Sequence, residues 1–437
     1  MIQKNGGIEM NKKIVLAGTA AALVMGMSGM AVFAEEAPAA SYSTVIEVED
    51  WGATVTKVIV DLGKEVSGEL DTDTFSVHVK RSDDRLEKPL LEEGNRRVTS
   101  AYISDAEGNA ADSGQYATLE LAYGPGISLG NALNYAQGRN VWIDCDYTIT
   151  QEEDIVTDQE TLSGIVATEY TGSVRLGIDD FNISSDTFDG IEFAMADYKP
   201  EDTAEKHPLI IWLHGGGEGG TDATIPLAAN KAISFASEEI QQYFGGAYVL
   251  VPQAPTKWME GKGGDRDGTS VYTEGLMELI KDYVADNPGV DENRIYVGGC
   301  SNGGYMTMIL IRDYPEYFAA AYPVCEGLAD TMISDEDIDT YKDQNIWFVT
   351  AATDTTLDPV LYTLPTYTRI REAGSENVHL TFFPNVEDKT GLYRQENDVP
   401  HEYDGHWSWT YVYNDQVSAR INGEEVGLLE WMAAQSK

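Results

Sequence analysis

Beyond Leu209 the chain alternates short, continuous apolar runs with longer helix-period runs, and no other feature restricts its fold more. Leu209 to Leu213 and Tyr248 to Pro252 are apolar throughout, as expected of strands buried on both faces. Arg294 to Val297, Ala319 to Val324, Ile346 to Thr350 and Val378 to Phe383 follow in the same style. Between them Tyr272 to Asn287 places Leu276, Leu279, Ile280, Tyr283 and Val284 on one helical face, and Pro288-Gly289 ends it. Strands alternating with helices predict a mostly parallel sheet covered by helices on both faces.

The upstream half has a different texture. Ile46 to Trp51, Thr54 to Val60, Thr74 to Val79, Val98 to Ile103, Ala117 to Leu121 and Val141 to Ile149 are rich in β-branched and aromatic residues. Turn-forming clusters such as Asp105 to Asn109 separate them, and no useful helix-period run intervenes. We therefore expect a small all-β sandwich of immunoglobulin-like size over 43–150, and the α/β domain over 160–437. Residues 35–42 read as a short linker.

The first 34 residues read as an export signal. Lys12 and Lys13 precede the uncharged stretch Ile14 to Gly29, and Val32-Phe33-Ala34 offers a cleavage site. Met10 is an alternative start. The other reading, an uncleaved anchor, is weakened by the Gly, Ser and Thr content of the stretch. The expectation is a secreted, extracellular protein cut near Ala34, with no stable membrane insertion after signal removal.

Charge narrows the partners. Lys and Arg total 29 against 73 Asp and Glu, a net charge of −44. Such a field repels nucleic acid and anionic membranes and admits neutral or hydrophobic substrates. The three cysteines, Cys145, Cys300 and Cys325, cannot all pair and match no zinc spacing. A Cys300–Cys325 disulfide stays open at this point.

Gly-x-Ser-x-Gly occurs twice, at Gly126 to Gly130 and at Gly299 to Gly303. A nucleophilic serine in this pattern needs a sharp turn from strand to helix, with small flanking residues. Arg294 to Val297 followed by Gly303 to Ile311 meets that need. Ser128 follows Pro125 in the all-β half and reads as a loop residue. Ser301 is therefore the expected nucleophile. Cys300 reads as a small buried residue beneath the turn.

An acyl-transfer nucleophile needs backbone N–H donors for the developing oxyanion. His214-Gly215-Gly216-Gly217-Glu218-Gly219-Gly220 directly follows the strand at Leu213. Gly216, Gly217 and the residue after the nucleophile, Asn302, are the expected donors. The order nucleophile, acid, histidine then selects Asp354, just past Ile346 to Thr350, with Asp358 as its rival. His406 in Gly405-His406-Trp407-Ser408-Trp409 is the expected base, preferred over His401, and His379 reads as structural within its strand. Gly405 is expected to give that loop freedom. Trp258 and Trp407 are candidate walls of the substrate pocket, and the loop from Asn385 to Tyr403 is a candidate lid.

The stretches Trp212 to Gly220, Gly299 to Gly304 and Gly405 to Trp409 together resemble bacterial α/β-hydrolase esterases of the predicted-peptidase and feruloyl-esterase-like group. That group is related to polyhydroxybutyrate depolymerases and prolyl-oligopeptidase catalytic domains. Some members carry an immunoglobulin-like N-terminal domain, which the start at Trp51-Gly52 resembles. The resemblance implies metal-free and cofactor-free ester hydrolysis through an acyl-enzyme. Ser301 would attack, His406 would shuttle the proton, and Asp354 would orient it. Small-molecule or polysaccharide-linked esters, with short-chain acyl, acetyl or feruloyl groups, are the implied substrates. A serine peptidase of the prolyl-oligopeptidase type is the alternative, and a non-catalytic binding protein is a third reading.

Overall fold

The computed structural model describes residues 40–156, 161–201, 205–395 and 397–437. The stretch expected to be an export signal lies outside the described residues. Among these, no helix is long and apolar enough to cross a membrane.

The all-β half begins with β1 (Ala40–Glu49), β2 (Gly52–Ser67), β3 (Phe75–Ser82), β4 (Leu90–Arg96), β5 (Val98–Ser104) and β6 (Ser113–Leu121). A hairpin of β7 (Leu133–Ala136) and β8 (Arg139–Trp142) precedes β9 (Asp144–Gln151). A two-stranded ribbon, β10 (Ile155–Val156) with β11 (Thr161–Leu162), leads to β12 (Val166–Arg175). Eight of these strands form one ladder in the order β4-β3-β9-β12-β1-β2-β6-β5. Its two edge strands, β4 and β5, are separated by Arg97 alone. A chain that passes from one edge to the other in a single residue must roll the sheet so that its halves face each other. The alternating inward residues Val58, Val60, Val77, Val79, Leu119 and Ile149 then share one core. Buried Arg96 crosses that core, donating to the Val55 carbonyl at 3.0 Å and to the Tyr147 hydroxyl at 2.8 Å.

Two boundaries differ from the sequence reading. Residues 40–42, read as linker, already belong to β1, and Tyr42 is buried. Strand β12 continues the all-β half past Thr150 to Arg175, into the stretch expected to belong to the second domain. It was not recognisable because almost all of it is solvent-facing: only Ala167 is buried, so no apolar alternation marks it.

The second sheet runs in the order β13 (Asn182–Phe188), β14 (Ile191–Tyr198), β16 (Tyr248–Gln253), β15 (His207–Leu213), β17 (Val290–Cys300), β18 (Ala320–Val324), β19 (Ile346–Ala351) and β20 (Val378–Phe383). From β16 to β20 all neighbours are parallel, and β13 and β14 add an antiparallel edge. Every residue of β15, β16, β18 and β19 is buried. That accounts for their unbroken apolar runs. Helices α1 (Thr224–Ala229), α2 (Glu238–Phe244), α3 (Thr273–Asp286) and α4 (Asn302–Asp313) lie among the connections. The mostly parallel sheet flanked by helices, preceded by an immunoglobulin-like β domain, is the α/β-hydrolase architecture.

The loop from Asn385 to Tyr403 folds back on itself, with Asp388 N–H donating to the His401 carbonyl at 2.7 Å. It also reaches the all-β half: the Tyr393 ring stands edge-on to Trp51, with centroids 4.9 Å apart.

Candidate active site

Each chemically relevant side chain leaves the carboxyl edge of the parallel sheet, where clefts open in such folds. Ser301 follows β17 and caps α4. Its backbone is left-handed, at φ 56° and ψ −111°. This conformation is unfavourable by about 1–3 kcal/mol for a residue with a Cβ, and it persists because the surroundings enforce it. Ser301 N–H donates to the Val324 carbonyl at 2.9 Å, tying the turn to the end of β18. A Cβ on Gly303 would overlap the Leu213 carbonyl oxygen, so only glycine lets α4 start this close to β15.

Asp354 sits three residues past β19 and is 3 % exposed. Its Oδ1 accepts the Thr356 and Leu357 N–H groups, both at 2.9 Å. Its Oδ2 is thereby aimed outward and meets His406 Nδ1 at 2.8 Å. Asp358 is exposed, and its Oδ1 accepts Val360 N–H at 3.0 Å. His401 packs on Tyr403 instead.

His406 occupies a tight turn closed by its own N–H donating to Asp404 Oδ1 at 2.9 Å. The ring stands edge-on to Trp409, 5.4 Å between centroids. Gly405 does not serve as a hinge: a Cβ there would overlap the Thr353 backbone, so glycine is needed for close approach to the aspartate loop. The Cys325 thiol, one residue past β18, lies within 4.8 Å of the Asp354 and His406 ligand atoms. Burial disfavours the imidazolium, whereas the Cys325 sulfur and the Asp354 carboxylate favour it. These partners outweigh burial, and the His406 pKa lies above its ordinary value.

The glycine loop after β15 is held from two sides. On one side, Gly216 lies against Asn302: a Cβ built on the glycine comes within 3.8 Å of the Asn302 Cβ. Asn302 Oδ1 in turn accepts Trp258 N–H at 2.6 Å. Buried His214 pins the base of the loop, with Nδ1 bonded to the Gly215 carbonyl at 2.7 Å and Nε2 accepting Ala254 N–H at 3.0 Å. Burial lowers its pKa to about 4 and keeps the ring neutral, as this pair of bonds requires.

On the other side the β7–β8 hairpin of the all-β half grips the loop. Asn140 N–H donates to the Gly217 carbonyl at 2.7 Å. Its side-chain amide donates to Glu218 Oε1, also at 2.7 Å. The Tyr135 ring covers Gly217 so closely that a Cβ would come within 2.9 Å of it. Trp142 donates to Thr224 Oγ1 at 2.8 Å. Burial raises the Glu218 carboxyl to about 7. Sequence reasoning missed Asn140, because nothing local distinguishes it from any other hairpin asparagine.

The two tryptophans separate. Trp258 is fully buried, flanked by Phe193, Tyr272 and His214, and supports the glycine loop from beneath rather than lining a pocket. A wholly buried indole presents no surface to a ligand. Trp407 is half-buried beside His406, between Tyr403 and Trp409. Ser128 lies in a short turn of the all-β half and donates to Glu92 at 2.9 Å. All three cysteines are free thiols, so the Cys300–Cys325 disulfide is not formed.

Comparison with known proteins adds to this geometry. Residues 41–164 match the esterase Ig-like N-terminal domain, and residues 274–356 match the prolyl oligopeptidase family. A crystal structure of a thermostable esterase is 26 % identical, with a TM-score of 0.74 over 91 % of this chain and 100 % of that one. A poly(3-hydroxyalkanoate) depolymerase C from Paucimonas lemoignei is 28 % identical over 30 % of this chain and 31 % of its own. A feruloyl esterase B from Neurospora crassa is 31 % identical over 29 % of this chain and 41 % of its own. The chain thus spans less than half the length of these two curated relatives.

Proposed function

We propose that this α/β-hydrolase, which carries the N-terminal immunoglobulin-like domain found on esterases, is a secreted serine carboxylic-ester hydrolase with Ser301, Asp354 and His406 as its triad. The observation that carries the reading is the 2.8 Å bond between His406 Nδ1 and Asp354 Oδ2, at the same sheet edge as the strained turn of Ser301. That bond keeps a proton on Nδ1 and leaves the Nε2 lone pair free to accept the serine proton. Ser301 Oγ attacks the ester carbonyl, and N–H groups of the Gly216–Gly217 loop and Asn302 receive the oxyanion. His406 then protonates the departing alcohol, and water releases the acid.

Neutral esters suit the acidic chain, with its net charge of −44. The likeness to a feruloyl esterase and to a polyester depolymerase favours short-chain acyl, acetyl or feruloyl esters, free or attached to a polymer. The match of residues 274–356 to the prolyl oligopeptidase family supports a second reading, a serine peptidase. Rates on p-nitrophenyl acetate, p-nitrophenyl butyrate and methyl ferulate, set against peptide p-nitroanilides, separate the two. Turnover of esters alone is expected; faster cleavage of the anilides would reverse the order.

The electrostatics give a pH dependence. His406 must be neutral to act as a base, and its neighbours hold its pKa above the ordinary value. A raised pKa keeps the ring protonated to higher pH, so activity is gained as pH rises. The limb in kcat/KM is expected above the ordinary imidazole value of about 6.5. A limb at or below that value would contradict the assigned surroundings.

The hairpin contact gives another. Asn140→Ala removes the side-chain bond to Glu218 and leaves a buried carboxyl without that donor. Loss of an oxyanion donor lowers kcat by about 10²–10³, so loosening the loop is expected to lower it by about tenfold, with KM little changed. Wild-type kcat in Asn140→Ala would show that the side-chain bond to Glu218 does not hold the glycine loop.

A further inference from the structure

We propose that Cys325, Asp354 and His406 form a binding site for a soft divalent metal ion such as Zn2+, and that its occupancy switches the enzyme off. The ligand atoms of the three side chains lie within 4.8 Å of one another. A thiol, an imidazole and a carboxylate are the three ligand types that zinc takes, and water completes a tetrahedron. Metal–sulfur and metal–nitrogen bonds of about 2.3 and 2.0 Å hold tetrahedral donors about 3.3–3.5 Å apart, so the sulfur draws in by up to about 1 Å and, for a metal on Nδ1, the 2.8 Å Asp354–His406 pair opens slightly. An aspartate–histidine pair alone is a poor soft-metal site; the sulfur is what adds affinity.

The backbone that carries the thiol is fixed by the fold. Cys325 has φ 36°, and its N–H donates to the Val349 carbonyl at 2.7 Å, pinning it between β18 and β19. Asp354 is equally constrained by its two backbone bonds. His406 is the point of entry, its side chain keeping 12 % of its surface in solvent.

Binding forms a sulfur–metal bond and releases the thiol proton to solvent, with no change of oxidation state. A metal on Nδ1 displaces the bond to Asp354 and forces the remaining ring proton onto Nε2. A metal on Nε2 occupies the lone pair itself. In either case His406 cannot accept a proton from Ser301. The metal site stands on the three donors; its effect on turnover rests on His406 acting as the base.

The test uses the full-length protein with Co2+ as a spectroscopic probe and Zn2+ as the inhibitor. The wild type and Ser301→Ala are expected to show a thiolate-to-Co2+ charge-transfer band at one equivalent. Cys325→Ala and Cys325→Ser are expected to lose it, the second variant guarding against a folding defect in the first. Zn2+ is expected to inhibit the wild type reversibly, with EDTA restoring activity. The inhibitory concentration is expected to rise by about tenfold or more in the Cys325 variants. No band in the wild type, or an undiminished band in both Cys325 variants, overturns the site. A band without inhibition overturns the switch and leaves the metal site standing. An active Ser301→Ala protein would bear on the nucleophile alone, because Ser301 is not a ligand.

Discussion

Ser301→Ala is expected to lower kcat for p-nitrophenyl acetate by about 10⁶, leaving only the residual rate that binding and oxyanion stabilisation supply. The substitution removes one oxygen and keeps the Cβ, so the strained turn at φ 56° is retained. KM is expected to change little, because the hydroxyl contributes little to ground-state binding. Ser128→Ala, at the other Gly-x-Ser-x-Gly, removes a bond to Glu92 remote from the parallel sheet and is expected to leave kcat at the wild-type level. Steady-state kinetics on both proteins check the assignment. A large loss in Ser128→Ala, or near-normal turnover in Ser301→Ala, would refute it.

Asp354→Asn is the second large effect. The asparagine oxygen can keep the bonds from Thr356 and Leu357 N–H. Its NH2 group would then face the Nδ1–H of His406, donor against donor. The ring answers by moving its proton to Nε2, the tautomer that cannot accept from serine. A fall of about 10⁴ in kcat is expected, the scale seen when a triad aspartate becomes asparagine. Asp358→Asn is expected near wild type, since Asp358 only caps the turn at Val360. The raised limb of the pH profile should also move down in Asp354→Asn, because a carboxylate that favours the imidazolium is gone. Equal losses in the two variants would show that neither aspartate orients the histidine.

The separate fates of these residues show what a linear sequence carries. Ser301, Asp354 and His406 could be placed at the sheet's carboxyl edge because each follows a strand, and buried strands advertise themselves as unbroken apolar runs. Order along the chain then did the rest, where the five-residue motif alone could not tell Ser301 from Ser128. The parallel sheet was legible for the same reason, while its antiparallel edge, Asn182 to Tyr198, has exposed positions that break the apolar pattern. Strand β12 was illegible because it has almost no buried face. Trp258 was misread because an aromatic residue after a Pro-containing turn looks alike whether it lines a cleft or supports one. Gly405 was assigned flexibility, yet it is needed for the approach of Thr353, a partner far away in sequence. Asn140 and Cys325 acquire their places only through contacts that long-range folding creates.

The central claim is that an acyl group passes through Ser301. Acid-quenching the wild type during turnover of p-nitrophenyl acetate and mapping its peptides by mass spectrometry tests this most directly. One acetyl group is expected on the peptide that contains Ser301, with accumulation in Asp354→Asn if deacylation slows more than acylation. Acetyl on another residue in wild type, such as Ser128 or Cys325, or turnover with no trapped acyl-enzyme in a protein whose release step is demonstrably slow, would contradict it.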